Sequence, residues 1–113
     1  MIAYDLIGQT PLVLLESFSD ENVKIYAKLE QFNPGGSVKD RLGKYLVETA
    51  IEDGRLKEGG TIVEATAGNT GIGLAIAANR FRVKCVIFAP EGFSEEKISI
   101  MKALGANVGR TPK

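Results

Sequence analysis

The sequence predicts an α/β fold, a parallel sheet flanked by helices, and three observations predict it. From Thr61 onward, short apolar runs alternate with helix-length segments in the order strand, helix, strand, helix, strand, the pattern of βαβ units. The strand-length runs are rich in Val and Ile and are bounded by glycines or charges. The helical segments repeat apolar or small residues at helical spacing and carry start and stop signals.

Taken in order, Lys24 to Leu29 reads as the first strand. After Ser37, the residues Val38, Leu42, Leu46 and Ala50 recur every four positions, which predicts a core-facing helix ending near Asp53-Gly54. Thr61 to Ala65 is the next strand. A helix from about Thr70 to Arg80 follows, whose small residues permit close packing on the sheet, although Gly71 and Gly73 each weaken it by about 1 kcal/mol. Val83 to Ala89 is again a strand. Ser94 then caps a helix with Glu95 and Glu96 in its first turn, carried on by Ile98, Met101 and Leu104 and stopped by Gly105. Ala106-Asn107-Val108 opens one more strand shortly before Lys113. A parallel sheet needs cover on both faces, so the pattern is that of an interrupted, longer α/β architecture.

Composition excludes several functions. Fourteen Lys and Arg balance fourteen Asp and Glu without long single-sign runs, so no basic surface points to nucleic acid. There is no His and one cysteine, Cys85, which removes His-dependent triads and thiolate zinc clusters; no metal site is expected. Cys85 lies in an apolar run and reads as a buried thiol of a reducing compartment, which points to the cytoplasm. No segment has the length or apolarity of a membrane span or secretory signal. The acidic residues Glu16, Asp20, Glu21, Glu30, Glu52 and Asp53 read as solvated charges. Chemistry must come from Lys, hydroxyls, carboxylates or a cofactor, and the partners are small molecules.

Two stretches can carry it. In Asn33-Pro34-Gly35-Gly36-Ser37-Val38-Lys39-Asp40-Arg41 a Gly- and Pro-rich turn leads into a helix, with Ser37 as a cap and Asp40 at the reciprocal position of a capping box. Lys39 is thereby held at a defined point. An amine so placed can join an aldehyde cofactor and act as a general base once released, while the commoner fate of such a lysine is a solvated charge. In Glu64-Ala65-Thr66-Ala67-Gly68-Asn69-Thr70-Gly71 a strand end meets a helix start, where α/β sheets bind ligands. Free N–H groups there favour an anion such as an amino-acid carboxylate, with Thr66, Asn69 and Thr70 adding side-chain donors. The alternative is a capped turn in which Asn69 or Thr70 serves only the backbone.

Together these two stretches resemble the cysteine synthase and cystathionine β-synthase family of fold type II pyridoxal-phosphate enzymes. Ile7-Gly8-Gln9-Thr10-Pro11-Leu12 resembles its N-terminal signature, and Met101-Lys102-Ala103-Leu104-Gly105-Ala106 is similar to the stretch after its second sheet helix. The resemblance implies two α/β domains around pyridoxal 5′-phosphate and a homodimer at full length. Residues 1–36 would contribute to the larger cofactor domain and 37–113 mostly to the smaller one. It makes Lys39 the catalytic, cofactor-bound lysine and Asn69 a second cofactor contact. Thr66, Gly68, Asn69 and Thr70 would form the loop gripping the substrate carboxylate. The implied reaction replaces the β-substituent of O-acetylserine or serine with sulfide or homocysteine, giving cysteine or cystathionine.

Family members commonly have a proline and a serine where this chain has Ala65 and Ala67, so the loop lacks a hydroxyl. In this it resembles members that use O-acetylserine with homocysteine. Family members are also much longer, and the Gly/Thr-rich cofactor-phosphate loop is not among these residues. The chain by itself is therefore expected to bind cofactor weakly and to be inactive. Two alternatives stand beside the synthase: a serine or threonine dehydratase, which usually shows a Ser-Phe-Lys context at the lysine, and a non-catalytic truncated paralogue acting as a binding module.

Overall fold

A computed structural model describes residues 1–112, leaving Lys113, the last residue of the expected smaller domain, outside the described residues. A three-stranded parallel sheet is built from β3 (Thr61–Ala65), β4 (Lys84–Pro90) and β5 (Asn107–Thr111) in that order. Ile62 pairs with Cys85 and Ile87 with Val108, which fixes the register. Helix α2 (Asn69–Phe81) connects β3 to β4, and α3 (Glu95–Ala103) connects β4 to β5. Ahead of them lie α1 (Lys39–Glu52) and a small antiparallel pair, β1 (Leu12–Leu14) with β2 (Tyr26–Lys28). Three single-turn 3-10 helices, Ala3–Leu6, Glu16–Phe18 and Glu30–Phe32, link the N-terminal segments.

The alternation of β4 turns Cys85, Ile87 and Ala89 into the core while Phe88 stays exposed on the other face. They meet α2, on which Ile72, Leu74, Ala75, Ala77 and Ala78 are buried, and α3, which contributes Ile98 and Met101. Burying a side chain such as Leu74, Ile87 or Met101 contributes about 1.5–3 kcal/mol. Only one face of the sheet is covered in this way; Val63 is 62% exposed on the other.

Helix α1 departs from the expected stripe. Val38, Leu42 and Leu46 are 50%, 37% and 41% exposed, and the buried positions are Asp40, Gly43 and Val47. The inner face is chosen by backbone approach rather than by apolarity. A Cβ built on Gly43 would lie 2.3 Å from the Gly73 carbonyl carbon, and one on Gly73 would lie 2.4 Å from the Lys39 carbonyl oxygen. The two helices therefore cross backbone against backbone at Gly43 and Gly73. The glycines that weaken α2 as an isolated helix are what let it pack; Gly71 likewise sits where a Cβ would meet the Met101 sulfur at 2.8 Å.

The remaining punctuation follows the sequence. Ser94 Oγ accepts the Lys97 N–H at 3.3 Å, and Gly105 ends α3 with a φ of +95°. Among the described residues no helix is long and apolar enough to cross a membrane, and no cluster of His, Cys, Asp or Glu could hold a metal ion. Cys85 is buried, which pushes its thiol up to about 11. It is a core residue, as its mid-strand position predicts.

Candidate active site

The turn before Lys39 is fixed from both sides. The buried Asn33 side chain accepts the Gly8 N–H at 2.8 Å and donates to the carbonyls of Glu30 (3.1 Å) and Ser37 (3.0 Å). The Gly36 N–H closes onto the Asn33 carbonyl at 2.8 Å, with Gly36 at a φ of +87° that other residues adopt at a cost. Helix α1 then begins at Lys39, whose N–H donates to Ser37 Oγ at 3.1 Å. The expected reciprocal cap from Asp40 does not form. Instead Asp40 is completely buried, and its Oδ2 accepts the Gly35 N–H at 2.5 Å while Oδ1 has no hydrogen-bond partner. Burial raises the Asp40 carboxyl above the usual carboxylate range, opposed by the Gly35 bond.

Glu30, which the sequence presents as a solvated charge, ties the N-terminal motif to the lysine turn. Its carboxylate pairs with Arg41 (Nε to Oε1 2.5 Å) and accepts from the Thr10 hydroxyl and from Asn33 Nδ2. Arg41 also donates to the Gly8 carbonyl at 2.9 Å, and Lys28 Nζ donates to the Thr10 carbonyl at 2.6 Å. The Arg41 guanidinium, followed by the Thr10 hydroxyl, holds the Glu30 carboxyl down at about 2. Glu30 and Arg41 are the residues that sequence reasoning missed. They lie eleven positions apart, and their partners in the N-terminal motif are twenty to thirty-three positions away, so only the pairing of Gly-Gln-Thr with Asp-Arg in one chain hinted at a link.

The second stretch lies where β3 gives way to α2. Thr66 Oγ1 accepts the Gly68 N–H at 3.3 Å, and Gly68 stands at the cap position of α2 with no side-chain cap. The first helical bond runs from Ile72 N–H to the Gly68 carbonyl at 3.2 Å, so the N–H groups of Asn69, Thr70 and Gly71 precede it without intrahelical acceptors. Asn69 and Thr70 are the first two residues of α2 and are half-buried, as is Thr66, while Gly68 is buried and Ala67 exposed. The capped-turn alternative is thus not what forms.

The crossing of α1 and α2 brings the two stretches together. The Lys39 backbone packs against Gly73, one turn into α2, and the Lys39 side chain is exposed. The backbone of Lys39 thus lies one turn from a helix N-terminus with open donors and three polar side chains, at the carboxyl end of β3.

Comparison with known proteins places this arrangement. Residues 3–113 match the family described as pyridoxal-phosphate dependent enzyme. The chain belongs to that family. Over 110 residues it is 54% identical to the O-acetylserine dependent cystathionine beta-synthase of Bacillus subtilis, covering 96% of this chain and 36% of that protein. It is 49% identical over 114 residues to the cysteine synthase of Helicobacter pylori, again 96% of this chain and 36% of the relative. The solved O-acetylserine dependent cystathionine beta-synthase of Helicobacter pylori superposes with a TM-score of 0.88 at 48% identity, over 99% of this chain and 39% of that one. The chain thus spans about a third of the length of these relatives. Its mixed α/β architecture, with a parallel sheet flanked by helices, is the one these neighbours share over the matched part.

The donor set fits the family's cofactor and an amino-acid substrate. An aldehyde requires a primary amine that is free to reach it, and Lys39 is exposed. A carboxylate requires convergent N–H donors, which the uncapped start of α2 provides. The Asn69 side chain, not engaged as a cap, is available to a ring oxygen.

Proposed function

We propose that this chain carries the lysine and the substrate loop of a pyridoxal-phosphate-dependent β-replacement synthase that joins O-acetylserine, or serine, to sulfide or homocysteine. The observation that carries the proposal is the Gly43–Gly73 crossing, which holds the backbone of Lys39, the first residue of α1, one turn from the open start of α2. Lys39 would hold the cofactor through its amine and, when free, would take the α-proton on Nζ. Asn69 would donate to the cofactor's ring oxygen, and Thr66, Gly68, Asn69 and Thr70 would grip the substrate carboxylate. When bound, pyridoxal phosphate supplies an electron sink for the pair left at the α-carbon. The β-carbon loses acetate, or hydroxide that departs as water with a proton from solvent, and gains a carbon–sulfur bond as the thiol gives its proton to solvent. Lys39 Nζ then returns the proton to the α-carbon.

The high identity to O-acetylserine dependent cystathionine beta-synthase and the alanine at position 67 favour O-acetylserine as donor and homocysteine as acceptor. Residues 1–36 belong with the larger cofactor domain and 37–113 with the smaller one, in line with the separate antiparallel pair and parallel sheet. The active form is a cytoplasmic homodimer, and the residues of this chain alone bind the cofactor weakly.

The test is product formation from O-acetylserine with sulfide or homocysteine, in two forms. One is the chain itself. The other is a chimera in which it replaces the corresponding third of the Bacillus subtilis relative, 36% of that protein's length. Cystathionine or cysteine from the chimera, lost in Lys39→Ala, supports the reading. A keto acid formed without thiol, or turnover that survives Lys39→Ala, overturns it.

A further inference from the structure

Lys97 is the third residue of α3, a position where the helix dipole disfavours a cation. Its backbone is pinned there by the Ser94 cap. Its side chain crosses to the neighbouring loop: a Cβ built on Gly68 would lie 2.8 Å from Lys97 Cδ and 3.3 Å from Nζ. The stem therefore lies across Gly68, and the ammonium reaches the residue immediately before α2. Among the described residues the ion pairs join Arg41 to Glu30, Arg55 to Asp53 and Arg110 to Glu95, and Lys97 takes part in none. Glu95, two positions before it, is committed to Arg110 at 2.7 Å.

Lys97 is half-buried and forms no ion pair among the described residues, Glu95 being held by Arg110 and Glu96 exposed, so its ammonium and the open start of α2 together present positive charge beside the loop. The donor amino acid's carboxylate is already served by the N–H groups of Asn69, Thr70 and Gly71. A cation on the outer flank, at Gly68 and next to the exposed, hydroxyl-free Ala67, serves a second anion. We infer that Lys97 is a specificity-determining residue that binds the carboxylate of an amino-acid thiol acceptor. This rests on the β-replacement reading above. Of the two acceptors in that reading, homocysteine has a carboxylate for Lys97 to hold and sulfide has none.

The test uses Lys97→Met and Lys97→Arg in the chimera described above, loaded with pyridoxal phosphate. Lys97→Met raises KM for homocysteine about tenfold or more, the loss of one charge-assisted contact. KM for sulfide and for O-acetylserine stays within about twofold, and Lys97→Arg restores the homocysteine value. A second readout needs no turnover: in the cofactor-free protein, homocysteine shifts the Gly68 and Lys97 amide resonances. Neither the carboxylate-free 3-aminopropanethiol acting on native protein nor homocysteine acting on Lys97→Met does so. Equal effects of Lys97→Met on sulfide and homocysteine, a rise confined to O-acetylserine, or titrations indistinguishable from native overturn the assignment and leave the β-replacement reading intact. A native chimera that forms no product with either acceptor overturns that reading, and this one with it.

Discussion

Replacing Gly73 with alanine tests whether the α1–α2 crossing is the feature that sets the site. The new Cβ would lie 2.4 Å from the Lys39 carbonyl oxygen, 2.8 Å from its carbon and 3.2 Å from the Asp40 Cα. Heavy-atom contacts to carbon settle at about 3.5–4.0 Å, so the helices must part by roughly 1 Å. The obstructing atoms are backbone and cannot rotate away. Overpacking of this kind costs about 3 kcal/mol, the upper end of its usual range, and alanine's better helix propensity offsets about 1 kcal/mol, leaving a net loss of about 2 kcal/mol. With a urea slope near 1.5 kcal/mol/M, the midpoint of unfolding falls by about 1.3 M. Gly36→Ala is the comparison: nothing lies within 4 Å of its Cβ, and only the φ of +87° is penalised, at about 1 kcal/mol. Urea unfolding followed by circular dichroism reads both. A Gly73→Ala midpoint equal to or above native would refute the backbone-against-backbone crossing.

Three further outcomes follow from the same geometry. Glu30 is held at about 2, below the ordinary 4.5, so its contribution to stability is complete above about pH 4.5 and disappears as pH falls through 2. Acid unfolding of native protein shows this loss, and Glu30→Gln lacks that component while being less stable at neutral pH. Asp40 has the opposite sign: its raised carboxyl favours the folded state below 3.8, and the advantage fades as pH rises. The stability of Asp40→Asn relative to native therefore climbs with pH above about 4, as a series of urea midpoints will show; a difference independent of pH contradicts the buried-charge account. Cys85, raised to about 11 and buried, reacts with a thiol reagent at a rate set by unfolding, and promptly once urea exceeds the midpoint.

Much of the parallel half was legible because its signals are local. Thr61 to Ala65 is a β-branched run between turn formers, and Ser94, Glu95 and Gly105 mark both ends of α3. Strand β1 was not legible. Its three residues hold only through pairing with β2 twelve or more positions away, and neither strand buries a continuous face. The face of α1 was misjudged because an apolar stripe marks burial only where side chains mediate packing, whereas here Gly43 and Gly73 bring backbones into contact. Lys39 and the Thr66–Thr70 loop stood out through motif chemistry. Asp40 looked like a helix cap, and its burial beneath Gly35 depends on where α2 passes. Lys97 has no distinguishing signal in the sequence, and only the approach of α3 to Gly68 marks it.

The most direct test of the central claim is to locate the cofactor. Protein that forms product is incubated with pyridoxal phosphate, reduced with borohydride and digested, and the pyridoxyl-bearing peptide is identified by mass spectrometry. The account predicts the modification on Lys39, with both label and turnover lost in Lys39→Ala. A label on another lysine, with turnover unchanged in Lys39→Ala, would contradict it.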